Sequence, residues 1–592
     1  MQLRVQVREE AVSRPDWSGQ VEAFGRKAFE ILVVLTVGWL LLVPLVTLIL
    51  SSLRVGSNVL PFEASARWGL ENYRELVGGG SAYARMLGHT AVYVAGATGV
   101  ALLAGGIAAW LVERTNVPGR RAFYALMVAP LMVPPVVQSI SWILLFAPGT
   151  GLLNVLFRKA GIPGGLLNAF SLPGMVLAQG LGLVPLTFIL ISGALRGLDL
   201  RLEEAAWVSG ATVPGTLRRI VWPLLRPAIG AAGILSALIA LESFEIPLLL
   251  GAPAGIRVYS STLYFAVHSI SALPEYGKVA ALAVPGLLLG FVALAGLRRW
   301  MGASERYTTI GGKGFQGGGV SLGPVGRVAG LTYLSILAAL LALAPILLLG
   351  ILSCFPEAFS NGFERLGRWD LRAWGLVLRE EVTWKALANS AVASGLGATL
   401  AMGLGVMVAW LDVRRGGRVW SGMDYVLLSS VTLPSVVLGL AAMLLYLWVG
   451  RGVYGTVWML GLVYAARTGI VSRSARAAVM QVGKELEEAA WVCGASRTAV
   501  LRRVLIPVIL PGILGGWLLH FVAHYRESTL ALLLYQPESV VAGVRIWQLY
   551  DAGRMGEASA LGLLVVGILL AWVYAAGRWG GGGWMGGVRG KR

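Results

Sequence analysis

Four charged residues interrupt stretches that are otherwise apolar enough to lie in a membrane. Glu242 and Glu245 occur in ALESFEIPLLLG, three residues apart and therefore on one face of a helix. Arg526 and Glu527 occur in YRESTLALLLYQP, the corresponding stretch of the second half. A charge inside lipid is costly and usually has a function. We predict that these residues line a translocation path or hold its external gate; a structural ion pair, or a place near the external interface, is the open alternative.

Two histidines, His520 and His524, are spaced i, i+4 and share a helical face, a spacing that can bind a metal. No further ligand is apparent nearby, so we expect a packed or water-facing pair and no metal site. The two cysteines, Cys354 and Cys493, are predicted to lie on opposite sides of the membrane, which excludes a disulfide framework. A membrane-embedded enzyme is disfavoured because no nucleophile–base pair or metal motif is recognisable.

The glycine-rich segment GGKGFQGGG, at 311–319, resembles a phosphate-binding loop only superficially. Gly314 follows Lys313, whereas such a loop requires Ser or Thr at that position. The segment instead has the composition of a flexible linker. Because no P-loop occurs elsewhere in the sequence, we expect the chain itself to bind no cofactor, and ATP with Mg²⁺ to be held by a separate subunit.

The composition is that of a polytopic membrane protein. Hydrophobic residues make up 56% of the 592 residues and charged residues only 13%, with a mean hydropathy of +0.73. A membrane-spanning helix needs roughly 20 apolar residues. The net charge of +19 is carried by short basic clusters between apolar segments, which membrane topology explains better than nucleic-acid binding. Twelve segments qualify as spans, at about 30–52, 91–112, 122–147, 174–195, 228–250, 278–297, 328–353, 389–411, 424–449, 455–473, 512–535 and 558–577.

Arginines in the short loops orient these spans, because cytoplasmic loops carry an excess of Lys and Arg. The loops after the second span of each half are basic, and so is the loop at 196–226. Both termini are therefore predicted to be cytoplasmic, in a bacterial inner membrane. We predict an N-terminal segment (1–27), two six-helix halves (28–300 and 328–578), a glycine-rich linker (301–327) and a basic tail (579–592).

The heptapeptide LEEAAWV occurs twice, at 202–208 and 486–492, between the fourth and fifth predicted spans of each half. The surrounding 28-residue segments align without a gap and are identical at 15 positions. Because each half has an even number of predicted spans, the two halves should have the same orientation and form a parallel repeat. The fold class is thus an all-α membrane protein built from two parallel six-helix repeats.

Each copy predicts a helix, a break and a second short helix outside the membrane. Gly210 and Gly494 are suited to end the first helix. Thr212 and Ser496 are suited to cap the second. The small alanines permit close approach of another surface, and the adjacent carboxylates can reach basic groups on it. Packing of two amphipathic helices against their own bundle is the alternative.

At these residues the sequence resembles the integral membrane permeases of binding-protein-dependent ABC importers. Their signature, EAA followed by Gly and then an aliphatic residue and Pro, is matched twice, although the endings IVWP and VLIP depart mildly from it. The resemblance covers essentially the whole chain and implies a type I importer fold. It also implies that each copy docks into one of two cytoplasmic ATPase subunits, through Glu203, Glu204, Ala205, Ala206 and Gly210 in the first copy and Glu487, Glu488, Ala489, Ala490 and Gly494 in the second.

The resemblance further implies the transport mechanism and its partners. ATP closes the ATPase dimer, the two halves rock, and an external solute-binding protein releases its cargo into the opened path. The stretches around residues 241–255 and 532–560 resemble fused permeases of ferric-iron importers, which makes ferric iron the expected cargo. Thiamine, 2-aminoethylphosphonate and polyamines are alternatives within the same group. A secondary transporter driven by an ion gradient is the alternative from another class.

Overall fold

The computed structural model describes residues 17–304 and 320–579, except 57–59, 79, 163–164, 269–273 and 364–366. Most of the predicted linker at 301–327 and of the predicted tail at 579–592 lies outside the described residues, as do the first sixteen residues of the predicted segment 1–27. The regular secondary structure of the described residues is helical apart from one short ribbon, in which β1 (Arg54–Val55) pairs antiparallel with β2 (Arg67–Trp68), and an isolated bridge between Thr115 and Val320.

Apolar sequence dominates the helices of the first half, and its longest helix has 35 residues. In chain order these helices are α1 (Trp17–Val37), α2 (Val43–Ser52), α3 (Glu71–Gly78), α4 (Gly80–Arg114), α5 (Arg120–Val128), α6 (Pro135–Phe146), α7 (Leu152–Lys159), α8 (Leu172–Gly197), α9 (Arg201–Val208), α10 (Val213–Thr216), α11 (Trp222–Glu242), α12 (Tyr259–Val267) and α13 (Tyr276–Ser304).

The second half follows nearly the same order and also contains a 35-residue helix. Its helices are α14 (Pro324–Ala338), α15 (Ala344–Cys354), α16 (Arg372–Arg379), α17 (Glu381–Arg415), α18 (Arg418–Ser429), α19 (Ser435–Trp448), α20 (Val457–Ala466), α21 (Gly469–Met480), α22 (Lys484–Val492), α23 (Arg497–Val500), α24 (Ile506–Tyr525), α25 (Thr529–Leu534), α26 (Ala542–Asp551) and α27 (Met555–Trp579). This correspondence confirms the predicted helical repeat.

The number of spans differs from the predicted twelve. Within the described residues, nine helices are long and apolar enough to cross a membrane, or up to eleven if two bent pairs count as one span each. The bent pairs replace the predicted spans 122–147 and 424–449, and they turn by 110° and 113°. The predicted span 455–473 is also broken, into α20 and α21.

Proline explains the bends. α6 begins after Pro134 (ψ 141°) and α19 after Pro434 (ψ 134°), so both prolines have the extended backbone that cannot continue a helix. The preceding residues, Val133 and Leu433, are extended as well, as the residue before proline prefers. Hydropathy detects that the flanking segments are apolar but contains no information about this change of direction.

The first span of each half packs on the opposite half. In the first half, α2 contacts α13 of its own half and α19 of the other. In the second half, α14 and α15 contact α5 and α6, and the Tyr333 hydroxyl donates to the Ala104 carbonyl at 2.9 Å. An ion pair joins Glu30 of α1 to Arg415 at the end of α17. These exchanged helices join the two halves independently of the linker.

Small residues allow the long helices to approach closely. A Cβ at Gly105 of α4 would lie 2.0 Å from the hydroxyl oxygen of Thr187 on α8. That hydroxyl donates to the carbonyl of Ala101 at 2.8 Å, so it bonds one helix to the other. Contact of this kind supplies the dispersion energy that holds helices together in lipid, and it fixes α8 against α4 next to the surface helix α9.

Candidate functional site: two heptapeptide elements and the interface between the halves

Each copy of the repeated heptapeptide forms a surface helix that ends at a glycine. Gly210, after α9, has φ +83°, and Gly494, after α22, has φ +78°. The amide of Gly210 donates to the carbonyl of Trp207 at 3.0 Å, and the amide of Ala211 donates to the carbonyl of Ala206 at 2.9 Å. The second copy repeats both bonds at 2.9 and 3.0 Å. This pair of bonds is a Schellman ending, which confirms the predicted helix termination.

A second helix begins after each break. The hydroxyl of Thr212 accepts the amide of Gly215 at 3.3 Å, and the hydroxyl of Ser496 accepts the amide of Ala499 at 3.3 Å. Both predicted caps are therefore confirmed. We call α9 with α10, and α22 with α23, the first and second heptapeptide elements. Each consists of a helix, a break and the first turn of a second helix. This second helix is not the separate short helix that the sequence predicts, because α10 continues through 217–221 into α11 as one helix, Val213–Glu242, and α23 continues likewise into α24.

One face of each element presents apolar side chains to the outside. Val208 is 90% exposed and its counterpart Val492 is 89% exposed, while Leu202 and Leu486 are 41% and 51% exposed. In the first copy, Leu202, Ala205 and Val208 are three residues apart and share a helical face. Exposed apolar side chains therefore stand at matching positions of the two halves.

The opposite face anchors each element to its own half. Glu203 is buried and accepts the guanidinium Nε–H of Arg114 at 2.9 Å. Glu487 is buried likewise and accepts from Arg414 at 2.7 Å. Arg114 also donates to the Leu195 carbonyl at 2.7 Å, which ties α4, α8 and α9 together. Burial raises the pKa of Glu203, and the ion pair with the arginine opposes this shift.

This anchoring corrects the expectation that both adjacent carboxylates reach a partner. Consecutive residues on an α-helix point about 100° apart, so two neighbouring side chains cannot share one outward direction. Glu203 and Glu487 face inward, and only Glu204, which is half-buried, and Glu488, which is exposed, remain on the outer side. The anchoring arginines were missed because the sequence presents them only as loop charges that orient the spans.

Glu242, the last residue of α11, bonds across the interface between the halves. Its carboxylate accepts the backbone N–H and the hydroxyl of Ser435, both at 3.2 Å. It also pairs with Arg467, whose Nη2 lies 3.2 Å from Oε2. Ser435 is the first residue of α19 and Arg467 follows α20, so both partners belong to the second half. The predicted pore residue Glu242 is thus an ion-paired helix cap.

Arg526 occupies the equivalent position in the second half, 284 residues after Glu242, which is also the spacing of the heptapeptides. Its guanidinium donates to the carbonyl of Val133 at 2.8 Å, again across the interface. Val133 ends the 3-10 turn that continues α5. A carboxylate therefore meets the start of one helix and a guanidinium meets the end of another, and both charges suit the helix dipole.

The other two candidate residues lie close by but form no ion pair among the described residues. Glu245 is buried, and its carboxylate accepts the hydroxyls of Ser528 at 2.5 Å and Thr529 at 2.8 Å, both from the second half. Glu527 accepts the amide of Leu530 at 2.8 Å, at the start of α25. Glu242, Glu245 and Arg526 therefore bond across the interface, whereas the bonds of Glu527 stay within its own half.

The two histidines pack beside this region as expected. His520 and His524 are buried, and their rings stack with centroids 4.1 Å apart. A ring nitrogen of His520 lies 3.2 Å from the Tyr464 carbonyl oxygen. In the described part of the chain, no three His, Cys, Asp or Glu side chains are grouped so that they could hold a metal ion.

Arg467 is the residue of this interface that sequence reasoning missed. It lies inside the predicted span 455–473, where a charge is itself a signal of function. No role was predicted for it from the sequence. The structure shows the reason for the charge: Arg467 stands at the break between α20 and α21 and faces Glu242 of the other half.

The fold and site define a helical membrane protein of two repeats, each with one exposed surface element. The chain belongs to the family of binding-protein-dependent transport system inner membrane components, whose model matches residues 101–300 and 401–577, one stretch in each half. The matching stretches include both heptapeptide elements and all four candidate interface residues.

Individual relatives are more distant. The ferric transport system permease protein FbpB of Actinobacillus pleuropneumoniae is 22% identical over 488 residues, 81% of this chain and 69% of that protein. The putrescine transport system permease protein PotI of Escherichia coli K12 is 27% identical over 222 residues, 35% of this chain and 78% of that protein. A bacterial ABC transporter that imports alginate has a chain with 19% identity and a TM-score of 0.38, covering 50% of this chain and 99% of that chain.

Proposed function

We propose that this chain works as the two-half permease of an ABC importer, with one ATPase subunit docked on each heptapeptide element. ATP and Mg²⁺ are held by those ATPase subunits, and an external solute-binding protein delivers the cargo. In this arrangement both termini and both elements lie in the cytoplasm. The docking residues are the outward ones, Glu204, Ala205 and Gly210 in the first element and Glu488, Ala489 and Gly494 in the second.

The observation that carries this proposal is the paired geometry of the two elements. Each has the same Schellman ending, the same exposed valine and the same inward carboxylate–arginine anchor. The anchor makes each element rigid relative to its own half, so a force applied to the outer face would move the long helix behind it. A secondary transporter driven by an ion gradient needs no such pair of anchored surfaces.

The two native cysteines provide a direct test of docking. Cys493 is exposed at the end of α22, where the first element has Ser209, and Cys354 is half-buried at the end of α15. In a Cys354→Ser variant, the purified ATPase should slow the labelling of Cys493 by a maleimide. In a Cys354→Ser, Cys493→Ser, Ser209→Cys variant, it should slow labelling at the first element equally.

The Cys493→Ser variant is the matched control, because its remaining thiol at Cys354 should label at the same rate with and without the ATPase. Unchanged labelling at both elements would contradict docking. Transport provides the second test: it should stop when ATP hydrolysis is blocked and continue when ion gradients are collapsed. The opposite pattern would favour the secondary transporter.

Ferric iron is the cargo that the relatives support best, since ferric transport permeases match over most of the chain. A polyamine is the second candidate, because a putrescine permease matches about a third of it. Uptake of radioactive ferric iron, putrescine, thiamine and 2-aminoethylphosphonate should be compared in cells with and without this chain. If only putrescine uptake depended on the chain, putrescine would replace ferric iron as the assigned cargo.

We further propose that the translocation path runs between the halves, beside Glu242, Glu245, Arg526 and Glu527. Support comes from the position of these residues at helix breaks, where charges and backbone ends meet at the interface. Broken helices at membrane depth are tolerated where they are buried in protein or line a cavity. A cargo that passes between the halves would meet these groups.

A further inference from the structure

We propose that Glu242, Ser435 and Arg467 form a latch that holds the two halves closed, and that the path opens only when this latch separates. The proposal rests on the proposed function, because it assigns these residues to the movement of the two halves. It adds Ser435 and Arg467 to the residues on which transport depends. We use the name interface latch for these three residues.

The first argument is that the latch joins two bodies that must move apart. Glu242 ends α11 of the first half, whereas Ser435 and Arg467 belong to the second. Both hydrogen bonds to Ser435 measure 3.2 Å, and the ion pair to Arg467 measures 3.2 Å. A path between the halves at this level cannot open while all of these bonds remain.

The second argument concerns depth. α20 and α21 carry the chain past Arg467, and at about 1.5 Å per residue they extend about 15 Å to one side of it and about 18 Å to the other. The hydrocarbon core of a bilayer is about 30 Å thick. Arg467 therefore lies between the two helices of the broken span 455–473, away from both of its ends.

The third argument is that the latch is strong enough to hold and weak enough to release. Glu242 and Arg467 keep side-chain exposures of 19% and 18%, so neither side chain is fully enclosed by protein. When they separate, a water-filled path can solvate both charges and the free N–H of Ser435. If the pair were fully buried, separation would leave two buried charges without compensation, and the latch would not open easily.

The fourth argument is the equivalent contact on the other side of the interface. Arg526 bonds the carbonyl of Val133 at 2.8 Å, so the bend of each bent helix pair is held from the opposite half. This second contact has one hydrogen bond to a carbonyl, whereas Glu242 has two hydrogen bonds to Ser435 and a direct ion pair with Arg467. The ion-paired contact at Glu242 is therefore the stronger of the two and the one expected to set the resting state.

Charge removal tests the latch in the intact complex. Glu242→Gln and Arg467→Gln should each raise ATP hydrolysis without binding protein about tenfold, the factor for an interaction worth about 1.4 kcal/mol. The double variant should show no further increase, because both single changes remove the same interaction. Glu538→Gln is the matched control, since it removes the exposed pair between Glu538 and Lys385 within the second half.

Cross-linking tests the same residues in the opposite direction and does not depend on the charge variants. Cysteines replacing Glu242 and Ser435, in a Cys354→Ser, Cys493→Ser background, should be joined by a short bifunctional thiol reagent with a cleavable bond. The joined protein should bind the ATPase normally but not transport, and cleavage should restore transport. Full transport while cross-linked would overturn the latch.

The two proposals fail in different ways. If the ATPase did not co-purify with a chain whose heptapeptide elements are unchanged, the proposed function would be contradicted. Normal co-purification with wild-type hydrolysis rates in Glu242→Gln and Arg467→Gln, together with transport through a cross-linked interface, would contradict the latch alone.

Discussion

Replacing Gly210 by Asn should separate the two reasons for a glycine at the end of α9. Gly210 has φ +83°, and no heavy atom lies within 4 Å of the place where a Cβ would stand. A Cβ there would meet no heavy atom of the described residues, so a steric effect of a small side chain would point to a partner. The same holds for Gly494, with φ +78°.

Backbone strain and side-chain volume rank the possible residues differently. Alanine at a left-handed position costs about 1–2 kcal/mol, because its Cβ crowds the backbone. Asparagine costs less, since its short polar side chain is tolerated in that conformation. If Gly210 serves only to end the helix, the order of fitness is Gly, Asn, Ala. If a partner surface covers it, the order is Gly, Ala, Asn, because Asn is the larger side chain.

Two measurements distinguish between these two orders of fitness. Hydrogen exchange at the amide of Ala211, which donates to the Ala206 carbonyl at 2.9 Å, reports the helix ending. It should accelerate about tenfold for each 1.4 kcal/mol lost, and therefore more in the Ala variant than in the Asn variant. Affinity for the ATPase reports docking and should fall more in the Asn variant than in the Ala variant.

Gly553 is the matched control. It has φ +75° with open space at its Cβ position, and it ends α26 with the same two hydrogen bonds, at 2.9 Å each. Gly553→Asn should leave ATPase affinity unchanged. Wild-type affinity in Gly210→Asn and Gly494→Asn would refute the docking surface, and a loss confined to the Ala variants would assign these glycines to helix termination alone.

Three further outcomes are expected. Glu203→Gln should destabilise the first heptapeptide element by about 3–5 kcal/mol, the cost of leaving one partner of a buried ion pair alone, whereas Glu204→Gln should change stability by about 0.5 kcal/mol or less; protease resistance of α9 checks both. Burial raises the pKa of Glu380, but hydrogen bonds from Arg554 and a second arginine outweigh it and lower the pKa below the usual 4.5. The interactions of Glu380 with the two arginines therefore stabilise the fold above pH 4.5, and this stabilisation is lost as the pH falls through the lowered pKa. Hydrogen exchange in the turn before α17 should show this loss in the wild type and not in Glu380→Gln. Cutting the chain within 305–319 should leave the halves associated during purification, because each first span packs on the opposite half; separation in mild detergent would contradict this.

Local features of the fold could be predicted from the sequence because they depend on a few neighbouring residues. The helix endings at Gly210 and Gly494 and the caps at Thr212 and Ser496 follow from backbone preferences alone. The bends at Pro134 and Pro434 were missed, although proline is visible in the sequence, because a hydropathy window averages over the residues at which the direction changes. Within the described residues the count is therefore nine, or up to eleven if each bent pair is one span, where about twelve were predicted.

The candidate site was predictable in outline and not in its partners. Charges inside apolar stretches singled out Glu242 and Arg526 as candidates for a translocation path, and the structure places both at the interface between the halves. Their partners, Ser435 and Val133, lie 193 and 393 residues away, and no local pattern links them. The anchors of the heptapeptide elements were missed for the same reason, since Arg114 reaches Glu203 across 89 residues.

The two halves are alike in the heptapeptide elements on their surface, and they differ at the interface between them. The heptapeptide elements agree in sequence, hydrogen bonds and exposure, as two surfaces for one kind of partner would. At the interface, Glu242 corresponds to Arg526, and Ser236 and Ala240 correspond to His520 and His524.

A symmetric pair of halves would place the same charge at both positions equivalent to Glu242. With a carboxylate at both positions, each could accept hydrogen bonds only from the start of a helix. The carbonyl of Val133, at the bend of the other helix pair, would then have no donor. Having Glu in one half and Arg in the other satisfies a helix start on one side and a helix end on the other. Fusion of the halves in one chain makes this division possible, because each half can then change on its own. Under the proposed function, the similar heptapeptide elements are suited to moving the two halves together, and the asymmetric interface is suited to controlling when the path opens.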